Sequence, residues 1–222
     1  RLVTAHHLMT VSECEQEIAC SATSGGDTYT NLKQLVASDM IRPIDALRLA
    51  CLYAVCAKSD QKTSSNLKEL MRLLKNRKDI KQTDVDSVNH LRKFALSKPK
   101  NPLDDTVQHV TKMIIQRVKG VDNVLTQYKP SLSRVLDDLH GAYRLKEIDF
   151  AFSGERYKEE APKRIIIFFV GGLTYDEAMV VDRFNRSHPE TKVIIGGTSI
   201  HNFKTFKEEV QCAIQLHDRA DS

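Results

Sequence analysis

Apolar positions recur at helical spacing through the first two thirds of the chain, then give way to two unbroken apolar runs near its end. The spacing predicts one helix over residues 1–19, ending at the Ser/Gly loop Ser21–Asp27, and a short helix at Thr28–Ala37. Pro43–Lys58 is apolar on most sides (Ile44, Leu47, Leu49, Leu52, Val55), with Pro43 in a favourable first-turn position, so it reads as a central, nearly enclosed helix. Ser65–Asn76 and Thr83–Leu96 are amphipathic, Thr83 serving as a cap for the second. Two prolines in Lys98–Pro102 break the pattern. Helices resume at Asp104–Lys119 and Ser131–Tyr143, and a long irregular connection, Leu145–Lys163, follows.

The last third reads differently. Arg164–Thr174 (RIIIFFVGGLT) and Lys192–Asn202 (KVIIGGTSIHN) are β-runs that end in Gly-Gly and lead into amphipathic helices. Runs without polar alternation belong to strands covered on both faces, as in a parallel sheet between helix layers. Strand 164–170, helix 174–187, strand 192–196 and helix 202–217 form a βαβα segment with a right-handed crossover. Thr174 with Glu177 makes a capping box, and Asn202 caps the last helix. Two parallel strands cannot bury their own edges. The expected fold is therefore mainly α plus α/β: a helical domain over residues 1–160, then a segment over 161–222 that completes a parallel sheet whose other strands are absent from this chain. The start on Arg1, inside a helical pattern, agrees with an origin in a larger protein.

Composition narrows the setting. No apolar run approaches the roughly 18 residues of a membrane span, and no signal peptide is recognisable, so the expectation is a cytoplasmic protein. The five cysteines (Cys14, Cys20, Cys51, Cys56, Cys212) form no Cys-x-x-Cys pair, so neither a disulfide framework nor a zinc site is suggested, and Cys51 and Cys56 within LRLACLYAVCA read as buried thiols. Net charge is +4, and residues 161–222 carry eight Lys/Arg against eight Asp/Glu, so the excess lies upstream. Within Lys62–Lys81, seven Lys/Arg face only Glu69 and Asp79. That run reads as a solvated helix face; nucleic acid, an acidic lipid surface or an acidic helix would be its partners if it bound anything.

Candidate chemistry is sparse. Gly171-Gly172 and Gly196-Gly197 sit where backbone amides could cradle a phosphate at a helix N-terminus. Neither turn completes a Walker or dinucleotide pattern, and tight strand–helix corners account for the glycines. His201 lies at the carboxyl end of the second strand, where such sheets bind ligands, yet no carboxylate or nucleophile is tied to it, and a surface loop histidine is expected. His6 and His7 point to different helix faces, and Cys212 and His217 are badly spaced for one metal. The pairs Asp104–Asp105, Asp137–Asp138 and Glu159–Glu160 read as solvation. No catalytic, cofactor-binding or metal-binding residue is assigned, and no cofactor is expected.

The combination of VSECEQEIAC (Val11–Cys20), DALRLACLYA (Asp45–Ala54), KGVDNVLTQYKP (Lys119–Pro130), LKEIDFAFSGE (Leu145–Glu155) and the two Gly-Gly segments resembles the C-terminal part of the SM proteins, the syntaxin-binding regulators of membrane fusion. Glu15–Glu17, Thr126–Pro130 and Gly171–Tyr175 look most like the branch that works at endosomes and the trans-Golgi. The resemblance implies an arch with a largely helical third domain inserted into a central α/β domain. Residues 1–160 would be the later part of that insertion, and 161–222 the last strands and helices of the central domain. It also implies a non-enzymatic regulator of vesicle fusion whose partners are a syntaxin-type Qa-SNARE and assembled SNARE complexes, gripped mainly through regions outside this chain. Nucleic acid is not expected, and membrane contact is expected only through SNAREs, at endosome and Golgi membranes. A nucleotide- or phosphate-binding domain using the Gly-Gly turns is the alternative. Lys58–Ser97 matches the family only loosely.

Overall fold

Helical periodicity becomes a set of short helices around one central helix in the computed structural model, which describes residues 2–21, 26–97, 128–142, 153 and 163–220. The helix expected at Asp104–Lys119, the Lys98–Pro102 break and the boundary at residue 160 lie outside the described residues. The rest fall into two compact units, one holding residues 2–97, Tyr128 and 206–220, the other residues 129–142 and 163–205.

The helical unit comprises α1 (Leu2–Ala5), α2 (Leu8–Ser21), α3 (Gly26–Ala37), α4 (Pro43–Cys56), α5 (Gln61–Asn76) and α6 (Gln82–Ser97). The single helix expected over residues 1–19 is broken at His6–His7, where His7 takes a left-handed φ of 49°. Thr4 and two histidines propagate a helix poorly, and a turn there re-aims the chain. Thr83 lies inside α6 rather than capping it.

Helix α4 is the hub, packed on by α2, α3, α5 and α6. Pro43 occupies its first turn, and Ala46, Leu47, Leu49, Ala50, Cys51, Tyr53 and Ala54 are buried, while Ile44 and Val55 stay exposed. Around it lie Val11, Cys14 and Ile18 of α2, Leu32 and Val36 of α3, Leu67, Leu70 and Leu74 of α5, and Val85, Val88 and Leu91 of α6. Each fully buried aliphatic side chain contributes about 1.5–3 kcal/mol. Asp45 is also fully buried, its carboxylate accepting from Arg42 Nε at 2.6 Å and Arg42 Nη2 at 3.1 Å, and lying 3.2 Å from Arg48 Nη2. A first-turn carboxylate so paired also complements the helix dipole.

Two arginines close helix C-termini from outside. Arg77, just past α5, donates to the carbonyls of Ser38 (2.7 Å), Ile41 (2.8 Å) and Val36 (3.4 Å) at the end of α3 and the following loop. Arg92 of α6 donates to those of Ala57 (2.6 Å), Ala54 (2.9 Å) and Lys58 (2.9 Å) at the end of α4. Val36 and Ala54 lie in the last turns of their helices, where a carbonyl has no partner in the ladder, and a guanidinium fork satisfies several acceptors at once.

In the second unit, α7 (Leu132–Ala142), β1 (Arg164–Phe169), α8 (Tyr175–Ser187) and β2 (Lys192–Gly197) assemble one layer of helices on a two-stranded parallel sheet. The register runs from Arg164↔Lys192 to Phe169↔Gly197, with a further bridge at Leu173↔Ile200. Leu132 and Leu136 of α7, Val181 and Phe184 of α8 and Val193 of β2 form the core, joined by Ile165, Ile167, Phe169 and Ile195 from the same sheet face. The Asn185 carboxamide donates to Val193 O (2.9 Å) and accepts from Val193 N (2.8 Å), so it serves as a one-residue stand-in for a neighbouring strand on β2.

The last helix, α9 (Phe203–Ala220), starts in this unit under the cap of Asn202, whose Oδ1 accepts from Lys204 N (2.9 Å) and Thr205 N (3.1 Å). From Phe206 on it belongs to the helical unit. There Phe206 meets Phe94 edge-on, and Lys207 and Asp218 pair with Asp84 and Lys93 of α6.

Candidate interaction surfaces

The Gly-Gly turns are filled by the protein's own groups. Gly171 and Gly172 have φ of 104° and 100°, a left-handed backbone that costs other residues about 1–2 kcal/mol. His201 is buried against this turn, its Nε2 lying 2.9 Å from Gly171 O and 3.1 Å from Ser199 Oγ. A carbonyl partner requires Nε2 to carry a proton, and Nδ1 lies 3.4 Å from Thr205 Oγ1. A Cβ on Gly172 would sit 2.5 Å from the imidazole Cδ2, so the histidine replaces the surface loop residue expected from the sequence with an internal clasp between the turns.

Several of the amides that would bind a phosphate are already used. Gly171 N donates to Thr198 Oγ1 (3.0 Å), Leu173 N to Ser199 O (3.0 Å), and Thr174 N to Glu177 Oε2 (2.7 Å). At the second turn, Thr198 N donates to Phe169 O and His201 N to Leu173 O, while Asn202 takes the first amides of α9. Glu177 also places a carboxylate where an anion would sit. The nucleotide- or phosphate-binding alternative is set aside on these grounds.

The sheet offers a different surface. Both strands were expected to be covered on two faces, and only one is. Ile166 is 76 % exposed, Phe168 63 %, Ile194 49 % and Ile200 60 %, all opposite or beyond the face that packs on α7 and α8. The strands are apolar on both sides because they suit a sheet with a second layer, and no described residues supply that layer. A continuous apolar face of this kind marks a surface that something covers.

Helix α5 carries the third surface. Thr63, Leu67, Leu70 and Leu74 form its buried stripe, and Lys68, Arg72 and Lys75 follow i, i+4, i+7 spacing on the opposite, exposed side. Glu69 is held below the usual carboxylate range by hydrogen bonds from Lys33 and Tyr29. Asp79 pairs with Arg77 at 3.3 Å, which removes Arg77 from the exposed basic set.

All five cysteines are free; Cys14, Cys20 and Cys51 are buried packing groups, Cys56 is half-buried, and burial pushes Cys51 and Cys14 up to about 12 and Cys56 to about 11. Cys212 and His217 are exposed on α9. Among the described residues, no group of three or more His, Cys, Asp or Glu side chains could hold a metal, and no helix is long and apolar enough to cross a membrane.

Comparison with known proteins adds the context that these surfaces lack by themselves. The model of the Sec1 family matches residues 1–209. Vacuolar protein sorting-associated protein 45 of Homo sapiens is 36 % identical over 227 aligned residues, which cover 99 % of this chain and 38 % of the human protein. The solved structure of SM protein Vps45 in complex with the Qa SNARE Tlg2 superposes with a TM-score of 0.76 at 30 % identity, over 96 % of this chain and 38 % of that one. The Unc18–syntaxin 1 complex from Monosiga brevicollis shares the fold, with a TM-score of 0.61 at 15 % identity over 91 % of this chain and 35 % of that one. The chain thus spans a little over a third of the length of the relatives it matches.

Proposed function

The chain belongs to the Sec1 family of SM proteins, and we propose that it forms the C-terminal scaffold of a protein that binds a syntaxin-type Qa-SNARE and promotes SNARE assembly in endosomal and trans-Golgi vesicle traffic. It does so without catalysis, from the cytoplasmic side of those membranes. Residues 1–160 are the later part of the helical third domain, and 161–222 return to the central α/β domain.

The observation that carries this reading is the half-covered sheet. Its bare face, Ile166, Phe168 and Ile194, is apolar enough to require a covering layer. A relative with about 2.6 times the matched length has chain to provide one. The likeness to a structure solved with a Qa SNARE supports the choice of partner. In mechanism, the helical unit braces the arch while upstream surfaces hold the SNAREs in register, lowering the barrier to four-helix assembly.

The test is lipid mixing between vesicles bearing the Qa-SNARE and vesicles bearing its partner SNAREs. Addition of the complete protein accelerates mixing; an unchanged rate with correctly folded protein would refute the proposed activity.

A further inference from the structure

We propose that the exposed basic face of α5 and the turn after it bind an anionic lipid surface directly, beyond the SNARE-mediated membrane contact expected from the sequence. Six cations, Lys62, Lys68, Arg72, Lys75, Lys78 and Lys81, are exposed within this stretch. None of the six forms an ion pair among the described residues. The two acids of the stretch are occupied: Glu69 by Lys33 (2.7 Å) and Tyr29 (2.8 Å), Asp79 by Arg77 (3.3 Å). Seven Lys/Arg against these two acids leave an excess of five positive charges over residues 62–81, along a helix length of about 20 Å.

What accompanies the charge decides the partner. No large apolar side chain is exposed between residues 61 and 81. A stable protein interface is organised around buried aromatic or aliphatic anchors, and none is available here. Single-stranded nucleic acid would call for aromatic stacking residues, which are equally missing from the face. A lipid surface of fixed negative potential asks only for clustered cations near its plane. The choice of a membrane over duplex nucleic acid, whose phosphates also need only cations, rests on the vesicle-fusion reading above.

The test is flotation of the complete protein with SNARE-free phosphatidylcholine vesicles, with and without phosphatidylserine, at low and high salt. The expected result is binding only with phosphatidylserine, weakened by salt. The triple variant Lys68→Gln, Arg72→Gln, Lys75→Gln should lower partitioning roughly 100-fold and still capture the Qa-SNARE. A charge-matched control on exposed positions elsewhere, Arg183→Gln, Lys192→Gln, Lys204→Gln, should leave partitioning unchanged. Absence of binding by the unmodified protein, or equal losses in both triple variants, would overturn the proposal. Tighter binding to a DNA duplex than to phosphatidylserine vesicles, lost in the same α5 variant, would overturn the lipid assignment. Qa-SNARE capture is read separately, and its failure would count against the trafficking reading rather than against this surface.

Discussion

Replacing Gly172 with alanine should be far more damaging than replacing its neighbour Gly171, although both have nearly the same positive φ. At Gly171 an added Cβ meets nothing within 4 Å, so only the left-handed backbone is penalised, by about 1–2 kcal/mol. At Gly172 the same penalty applies, and the Cβ falls 2.5 Å from His201 Cδ2, 2.7 Å from its Nε2 and 2.8 Å from Ser199 Oγ. The ring is buried and held by Gly171 O, so it cannot swing aside cheaply, and overpacking adds about 1–3 kcal/mol. The totals are about 3.5 kcal/mol for Gly172→Ala and about 1.5 kcal/mol for Gly171→Ala. Amide hydrogen exchange reads this locally, which suits a chain of two units that can open separately. The Leu173 and His201 amides, bonded to Ser199 O and Leu173 O, should exchange roughly 400-fold faster in Gly172→Ala and roughly tenfold faster in Gly171→Ala. Equal acceleration in the two variants would refute the clasp.

Removing the Arg77 guanidinium (Arg77→Ala) leaves the buried carbonyls at Val36 and Ile41 without their donor and should cost about 1–3 kcal/mol in urea unfolding. Arg77→Lys should recover less than half, since an ammonium cannot span them; full recovery would refute the fork. Stability should fall as pH rises from about 9 towards 12: the unfolded thiols ionise near 8.5, whereas buried Cys51 and Cys14 bind their protons up to about 12. A pH-independent melting temperature across that window in the wild type, or an equal slope in the Cys14→Ala/Cys51→Ala variant, would contradict it. Ile166→Asp should change the stability of this 222-residue chain by no more than about 0.5 kcal/mol, because the residue is exposed in it. In the complete protein, with the face covered, the same change buries a charge and should lower the thermal midpoint; an unchanged midpoint there would show that the face stays bare.

Much of this architecture was legible because it depends on local periodicity. The hub helix followed from apolar residues on most sides behind Pro43, and the capping roles of Glu177 and Asn202 followed from spacing alone. What escaped was tertiary. Asp45 looks like an ordinary first-turn acid until Arg42 and Arg48 enclose it. Arg77 counts as one more charge in a basic run until the end of α3 is seen to need it. Asn185 gives no sign in sequence that it stands in for a strand, and His201 looks like a loop residue because the glycine that makes room for it lies 29 positions upstream. The turn at His7 was hidden by a helical pattern that continues across it. A His-x-x-x-Thr spacing across the start of a helix, beside a distant Gly-Gly turn, was the one available hint of the clasp.

Binding of a purified syntaxin-type Qa-SNARE by the complete protein and by the 222-residue chain, measured side by side, tests the central claim most directly. Capture by the complete protein alone is the predicted result, with the grip upstream and this chain as scaffold. Capture by both would contradict the scaffold role, and capture by neither would contradict the assignment of a SNARE partner.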